Sequence, residues 1–170
     1  SDLDDGLDWL IAQGITDPKK TCMMGGSYGG YASLVAAYQS PNRYKCAVAF
    51  APVTDIKELI REQRNFVLSK GSIDRLRDRD EQTEVSPIEQ ARNFSIPVLI
   101  VHGDVDRVVK IEQSRGLTEA LKEANADYRY IEQKNGNHYL SLKSHRREFL
   151  LAVDDFLATH IGDTAATDPL

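Results

Sequence analysis

Long apolar runs and stripes of basic residues are both missing from this 170-residue sequence. Its longest apolar stretches, such as "PVLIV" at residues 97–101, are far shorter than the roughly 20 residues that a membrane-spanning helix needs. Lysine and arginine form no stripe and the net charge is −5, so neither nucleic acid nor an anionic membrane is expected as a partner. The sequence also lacks the pattern of an export signal. In a fragment that absence is uninformative, so the localisation of a soluble protein (cytoplasmic, periplasmic or exported) stays open.

Cysteine is scarce, with Cys22 and Cys46 the two present. They do not form a C-x-x-C pair, so a zinc site is not expected and no metal is predicted. Each lies in an apolar segment that predicts a buried strand. We expect two reduced thiols in the core, because a disulfide would require the two strands to be neighbours with facing side chains.

Four apolar segments alternate with helical patterns along the chain: "KTCMMGG", "KCAVAFAP", "IPVLIVHGD" and "DYRYIE". This alternation predicts an α/β fold, with a parallel sheet covered by helices on both faces. The fourth segment alternates in polarity, which suits an edge strand. Apolar periodicity predicts one buried face on the first helix and one on the last, formed by Leu3, Leu7, Leu10 and Ile11 and by Phe149, Leu150, Val153, Phe156 and Leu157.

Two segments of the chain show little of this alternation of apolar strands and helices. Residues 55–85 are highly charged and predict one or two solvated helices, with a surface excursion favoured over a cap that contacts substrate. Residues 163–170 are polar and predict a loose tail.

A glycine-rich stretch at residues 25–29 fits the pattern G-x-S-x-G between a predicted strand and a predicted helix. In this context the serine occupies a sharp turn that exposes its hydroxyl. Gly25 and Gly29 would let the strand and helix approach closely. A phosphate-binding turn is the alternative, but neither G-x-G-x-x-G nor G-K-[ST] is present. Ser27 is therefore the predicted nucleophile.

A serine nucleophile needs a histidine base and an acid that orients it, in the chain order serine, acid, histidine. Asp104 and Asp106 both follow the third strand, and the residues alone leave the choice between them open. His138 lies in the loop after the fourth strand. These positions suit a site because open α/β sheets place their sites at the carboxyl ends of strands.

The other three histidines are weaker candidates. His102 ends the third strand and is expected to support the loop that follows. His145 and His160 lie in the final helix and are expected to be solvated.

Three motifs together resemble those of the prolyl oligopeptidase family of serine peptidases, which have the α/β-hydrolase fold. They are "GGSYGGY" at 25–31, "HGDVDRVV" at 102–109 and "GNHYLSL" at 136–142. The resemblance extends from residue 2 to about residue 157 and selects Asp106 as the acid and His138 as the base. It implies that Ser27 attacks the acyl carbon of a peptide or ester bond, with no metal or cofactor needed. It further implies that the Tyr28 N–H donates to the oxyanion and that the Tyr28 ring and Val109 wall an apolar pocket.

The resemblance also implies that residues 1–162 are the C-terminal part of a hydrolase domain. Earlier strands of the sheet, a second oxyanion donor and a β-propeller would then belong to a longer parent chain. Without those strands the "TCMMGG" strand would be an exposed apolar edge, so we expect a homo-oligomer that pairs through it.

Two alternatives remain open at this point. The same triad would serve an esterase or acylhydrolase. The isolated piece would otherwise be a catalytically inert, self-associating module.

Overall fold

The structure is a computed structural model that describes residues 2–63 and 86–162. Most of the charged segment, from residue 64 to 85, and the tail 163–170 lie outside the described residues, as do the predictions made for them. None of the described helices is long and apolar enough to span a membrane.

Four strands alternate with five helices and one 3-10 helix in the described residues. In chain order the elements are α1 (Asp2–Ala12), β1 (Cys22–Gly26), α2 (Tyr28–Gln39), β2 (Cys46–Phe50), α3 (Ile56–Gln63), the 3-10 helix Pro87–Asn93, β3 (Val98–Gly103), α4 (Glu112–Glu123), β4 (Tyr128–Gln133) and α5 (Lys143–Ile161).

The strands form one parallel sheet in the order β1-β2-β3-β4. Every residue of β2 and β3 is buried, whereas β4 lies at the end of the strand order and has two exposed, three partly buried and one buried position. The predicted α/β fold and the edge position of β4 are therefore confirmed. Since all strands are parallel, their carboxyl ends lie along one edge of the sheet, where such folds place their sites.

Helices cover both faces of this sheet, as predicted. Helices α2 and α4 pack on one face and α5 packs on the other, and each side has its own apolar cluster. The first cluster includes Leu34, Val98, Ile100, Leu117 and Leu121, and the second includes Val48, Leu99, Val101, Val153 and Phe156.

Three details of the helix predictions differ from the structure. Leu7 of α1 is buried, but Leu3 is 46% exposed. Leu150 of α5 is 63% exposed, because it lies about 100° around the helix from Phe149, at the margin of the buried stripe. Helix α3 was expected to be solvated, yet it buries three apolar side chains, Ile56, Leu59 and Ile60.

Cys22 and Cys46 form a disulfide, so the prediction of two reduced thiols is wrong. Strands β1 and β2 are neighbours, and their register places these two residues opposite each other, with Cα atoms 4.7 Å apart. Cross-linking residues that are 24 positions apart restricts the unfolded chain and contributes about 3 kcal/mol to stability. The disulfide also fastens β1 to the buried interior of the sheet.

The side of β1 that faces away from β2 has no strand partner in the part of the chain described here. Met24, in the middle of this strand, is 59% exposed. An open edge of this kind presents unpaired N–H and C=O groups that can extend a sheet into another chain.

We expect a second copy of the chain to pair with the β1 edge. Met24→Lys should weaken this dimer, since a charge on an edge strand opposes pairing. The matched control is Leu150→Lys, which places the same charge at another exposed apolar position, on α5, and should leave the dimer intact. Sedimentation velocity at high micromolar concentration measures both. A wild-type chain that sediments as a monodisperse monomer would contradict the expectation.

Candidate active site

Ser27 occupies the sharp turn between β1 and α2 that its motif predicts. Its φ is 58° and its ψ is −122°, a region that a non-glycine residue adopts only at a cost. Backbone hydrogen bonds hold the turn on both sides, because the Ser27 N–H donates to the Phe50 carbonyl at 2.8 Å and the Tyr31 N–H donates to the Ser27 carbonyl at 3.1 Å. The strained turn is therefore fixed by the neighbouring strand and by the first turn of α2.

The glycines around Ser27 do not all serve the purpose predicted for them. A Cβ on Gly25 would lie 2.2 Å from the Gly29 carbonyl oxygen, so a side chain cannot fit there. A Cβ on Gly29 would meet no atom within 4 Å, so the expected clash at that position is wrong. Gly30 is the second tight position, since its Cβ would lie 3.0 Å from the Pro52 Cβ and 3.1 Å from the Phe50 carbonyl oxygen. Gly25 and Gly30 allow the close packing at the turn.

Asp106 lies in the loop after β3, and its side chain is fully buried. Its Oδ1 accepts hydrogen bonds from the backbone N–H groups of Val108, at 2.8 Å, and Val109, at 3.0 Å. Its Oδ2 lies 2.7 Å from the Nδ1 atom of His138. The structure thus brings the predicted acid and the predicted base together.

The protonation state of Asp106 follows from opposing effects. Burial raises the pKa of the carboxyl, but hydrogen bonds from His102, His138 and the backbone N–H groups of Val108 and Val109 outweigh burial and lower the pKa to about 2. Asp106 is therefore ionised at neutral pH and acts as a hydrogen-bond acceptor. Since a carboxylate can only accept, His138 donates its Nδ1–H to Asp106.

Asp104, the other aspartate of the loop, ties two loops together. Its Oδ1 accepts a hydrogen bond from the Asn135 N–H at 2.6 Å, and its own N–H donates to the Gln133 carbonyl at 3.1 Å. The contacts of the two carboxylates therefore distinguish them: Asp106 meets the histidine, and Asp104 joins the loop after β3 to the loop after β4.

A contact between two glycine backbones brings the histidine loop to this position. A Cβ on Gly103, the last residue of β3, would lie 2.2 Å from the Gly136 carbonyl carbon. The Val105 N–H also donates to the Gly136 carbonyl at 3.0 Å. The loop after β4 therefore crosses the end of β3, and His138 can reach Asp106.

Ser27 and His138 are not hydrogen-bonded in this structure. Among the described contacts, the ring of His138 donates to Asp106 and stacks edge-on against Tyr139, with ring centroids 5.4 Å apart. The side chain of His138 is 11% exposed. The site thus has two of its three predicted side chains in contact, with the serine turn at the same edge of the sheet.

Tyr28 and Val109 occupy different surroundings. Tyr28 is the first residue of α2, where backbone N–H groups point out of the helix, and its side chain is 58% exposed. Its ring lies 5.4 Å from that of Tyr31. Val109 is buried in an apolar cluster that also contains Tyr31. The oxyanion donor and the pocket stay predictions.

The remaining histidines differ from one another. His102 is completely buried and lies 3.3 Å from Asp106. His145 and His160, expected to be solvated, are each only partly exposed, and the His160 ring packs edge-on against Phe156 at 4.5 Å. Within residues 2–63 and 86–162, no group of three or more His, Cys, Asp or Glu side chains is arranged to hold a metal ion.

One known protein family matches almost the whole length of this chain. The model of the prolyl oligopeptidase family matches residues 1–164. The chain belongs to the prolyl oligopeptidase family. This family consists of serine peptidases with an α/β-hydrolase fold, so the resemblance found in the sequence motifs is confirmed.

Relatives and solved structures agree with this membership. Dipeptidyl aminopeptidase BIII of Pseudoxanthomonas mexicana is 28% identical over 172 residues, which cover 96% of this chain and 25% of that protein. The acylamino-acid-releasing enzyme of Rattus norvegicus is 31% identical, over 86% of this chain and 21% of that enzyme. A puromycin-hydrolyzing peptidase of Mycobacterium tuberculosis shares the fold, with a TM-score of 0.79, 24% identity and coverage of 97% of this chain and 26% of that one. The chain thus spans about a quarter of the length of these proteins.

The low pKa of Asp106 predicts how stability depends on pH. The carboxyl has its ordinary pKa of 3.8 in the unfolded chain and about 2 in the folded one. Its contribution to the free energy of unfolding is therefore fully present above about pH 5 and is lost as the pH falls through 2. We expect the loss to be roughly 2 kcal/mol.

Asp106→Asn removes this titration, so its stability should fall less steeply between pH 4 and pH 2 than that of the wild type. Urea unfolding at several pH values in that range measures the two slopes. Equal slopes for the variant and the wild type would show that Asp106 is not the group that titrates.

Proposed function

We propose that this chain is the C-terminal part of the catalytic domain of a serine peptidase that hydrolyses peptide bonds of short peptides. Its triad is Ser27, Asp106 and His138. The observation that carries the proposal is the 2.7 Å hydrogen bond between His138 and the buried, ionised Asp106. This pair lies at the same sheet edge as the strained turn of Ser27, in a member of a family of serine peptidases.

The hydrogen bond to Asp106 assigns a role to each nitrogen of His138. Because Nδ1 carries the donated proton, Nε2 of the neutral ring has the free lone pair. Nε2 takes the proton of the Ser27 hydroxyl as the serine oxygen attacks the carbonyl carbon of the substrate. The same nitrogen then protonates the leaving amine, and Asp106 stabilises the ring while it is charged.

The proposal requires the Ser27–His138 hydrogen bond to form when substrate is bound. Catalytic hydrogen bonds are often long or poorly aligned in free enzymes and tighten in the complex with substrate. Ser27 is held rigidly by β2 and α2. The adjustment therefore falls to the ring of His138 and its loop.

Negative charge develops on the carbonyl oxygen of the substrate during attack. The N–H of Tyr28, at the start of α2, is the proposed donor to this oxygen. A second donor would come from the longer parent chain. The loss of one such donor typically costs about 10²–10³ in rate, so the isolated chain should react slowly.

Peptide is the proposed substrate class because the relatives are a dipeptidyl aminopeptidase and an acylamino-acid-releasing enzyme. The exposed ring of Tyr28 would contact the substrate side chain before the scissile bond. Val109 would support that surface from below, in the cluster that contains Tyr31.

A fluorophosphonate that modifies activated serines tests the proposal. We expect one label on Ser27, located by mass spectrometry, and no label on Ser27→Ala. His138→Ala should be labelled at least about 10²-fold more slowly, because it lacks the base. Ser144→Ala, which removes an exposed serine of α5, is the control and should be labelled like the wild type.

Hydrolysis of a dipeptide anilide in parallel with a short acyl ester then separates a peptidase from an esterase. A wild-type chain that stays unlabelled, or that carries its label on another residue, would overturn the assignment of Ser27.

A further inference from the structure

A second histidine contacts the carboxylate of Asp106 from inside the protein. His102 is the penultimate residue of β3, and its side chain is completely buried. Its Nε2 lies 3.0 Å from the Val109 carbonyl oxygen and 3.3 Å from Oδ2 of Asp106. Its Nδ1 lies 2.7 Å from the hydroxyl oxygen of Ser114. Every polar atom of this ring therefore has a partner.

These partners determine where the ring carries its proton. A carbonyl oxygen only accepts hydrogen bonds, so Nε2 of His102 must carry a proton and donate it to Val109. The same nitrogen also lies 3.3 Å from Oδ2 of Asp106, as a longer polar contact beside its hydrogen bond to Val109. A neutral ring then has a lone pair on Nδ1, which accepts the hydroxyl proton of Ser114. No charge on His102 is needed to satisfy these contacts.

The contacts of His102 fix the loop that carries the acid at two points. The ring holds the carbonyl of Val109, whose N–H binds Oδ1 of Asp106. The ring also meets Oδ2, the oxygen that accepts from His138. Asp106 thus accepts hydrogen bonds from Val108, Val109 and His138, and the Nε2–H group of His102 lies beside the same carboxylate. Rotation of the carboxylate away from His138 would break several of them at once.

Ser114 connects this arrangement to the core. It is fully buried in α4. Leu117 and Leu121 of this helix belong to the first apolar cluster of the sheet. A chain of contacts therefore leads from a packed helix through Ser114 and His102 to the acid of the proposed triad. Without this connection to α4, the carboxylate of Asp106 would be held only by the loop after β3 and by His138.

We propose that His102, held by Ser114, is a positioning residue that orients the carboxylate of Asp106 for its hydrogen bond with His138. Its effect on reactivity rests on the proposed function.

Two substitutions at one position separate positioning from a merely space-filling role. In His102→Gln the side-chain amide reaches the place of Nε2 and can still donate to Val109 and Asp106. In His102→Asn the amide reaches only the place of Nδ1, so it can meet Ser114 but not the carboxylate. Both variants bury one neutral amide, and thermal unfolding of each checks that it is folded.

The direct readout is the low-field proton NMR signal of the His138 Nδ1–H that is shared with Asp106. The wild type should show the signal, and Asp106→Asn, which removes the acceptor, should not. His102→Gln should retain it, whereas His102→Asn should lose or broaden it. A folded His102→Asn with the wild-type signal would overturn the proposal.

Ser114→Ala provides a test that keeps His102 in place. Without the hydroxyl the ring loses its tether to α4, and the His138 signal should broaden or shift. An unchanged signal in Ser114→Ala would contradict the role assigned to Ser114, even if neither variant at position 102 folds.

The second readout is the rate at which a fluorophosphonate labels Ser27. The loss of a hydrogen bond to a charged group predicts a rate about tenfold lower for His102→Asn, and His102→Gln should restore most of it. Equal rates for the two variants would contradict the proposal. If the wild type is not labelled at all, the proposed function fails, while the NMR experiment still decides the role of His102.

Discussion

The contact between the backbones of Gly103 and Gly136 is the constraint on which the proposed site depends. Strands β1 and β4 are the two outer strands of the sheet. Three strand spacings of about 4.8 Å put them roughly 14 Å apart, so the loop after β4 must return across the end of β3 before its histidine can approach the serine turn. It does so where neither backbone has a side chain, since a Cβ on Gly103 would lie 2.2 Å from Gly136. The hydrogen bond between Asp106 and His138 follows from this crossing.

The opposite end of the site depends on a similar close approach. Gly25 packs against the backbone of Gly29, and Gly30 packs against Pro52. The buried strand β2 supports Ser27 directly through the Phe50 carbonyl. Rigid packing thus surrounds both the proposed nucleophile and the proposed acid.

The sequence patterns predicted the fold and placed the candidate residues at the ends of strands, because apolar periodicity and chain order encode buried faces and strand ends. The neighbours and register of the strands are not encoded in this way, so the disulfide between Cys22 and Cys46 was missed. The residues alone could not separate Asp104 from Asp106, since both follow the same strand and differ only in their contacts. His102 was expected to support its loop, but its contact with Asp106 is visible only in three dimensions.

A crystal structure of the chain after phosphonylation tests the central claim most directly, because the adduct mimics the tetrahedral intermediate. We expect phosphorus bonded to Oγ of Ser27 and a phosphoryl oxygen accepting from the Tyr28 N–H. We further expect Nε2 of His138 within hydrogen-bonding distance of the adduct, with the bond to Asp106 retained. An adduct on Ser27 whose oxygens make no contact with His138 would contradict the account, because these side chains would then not form one catalytic unit.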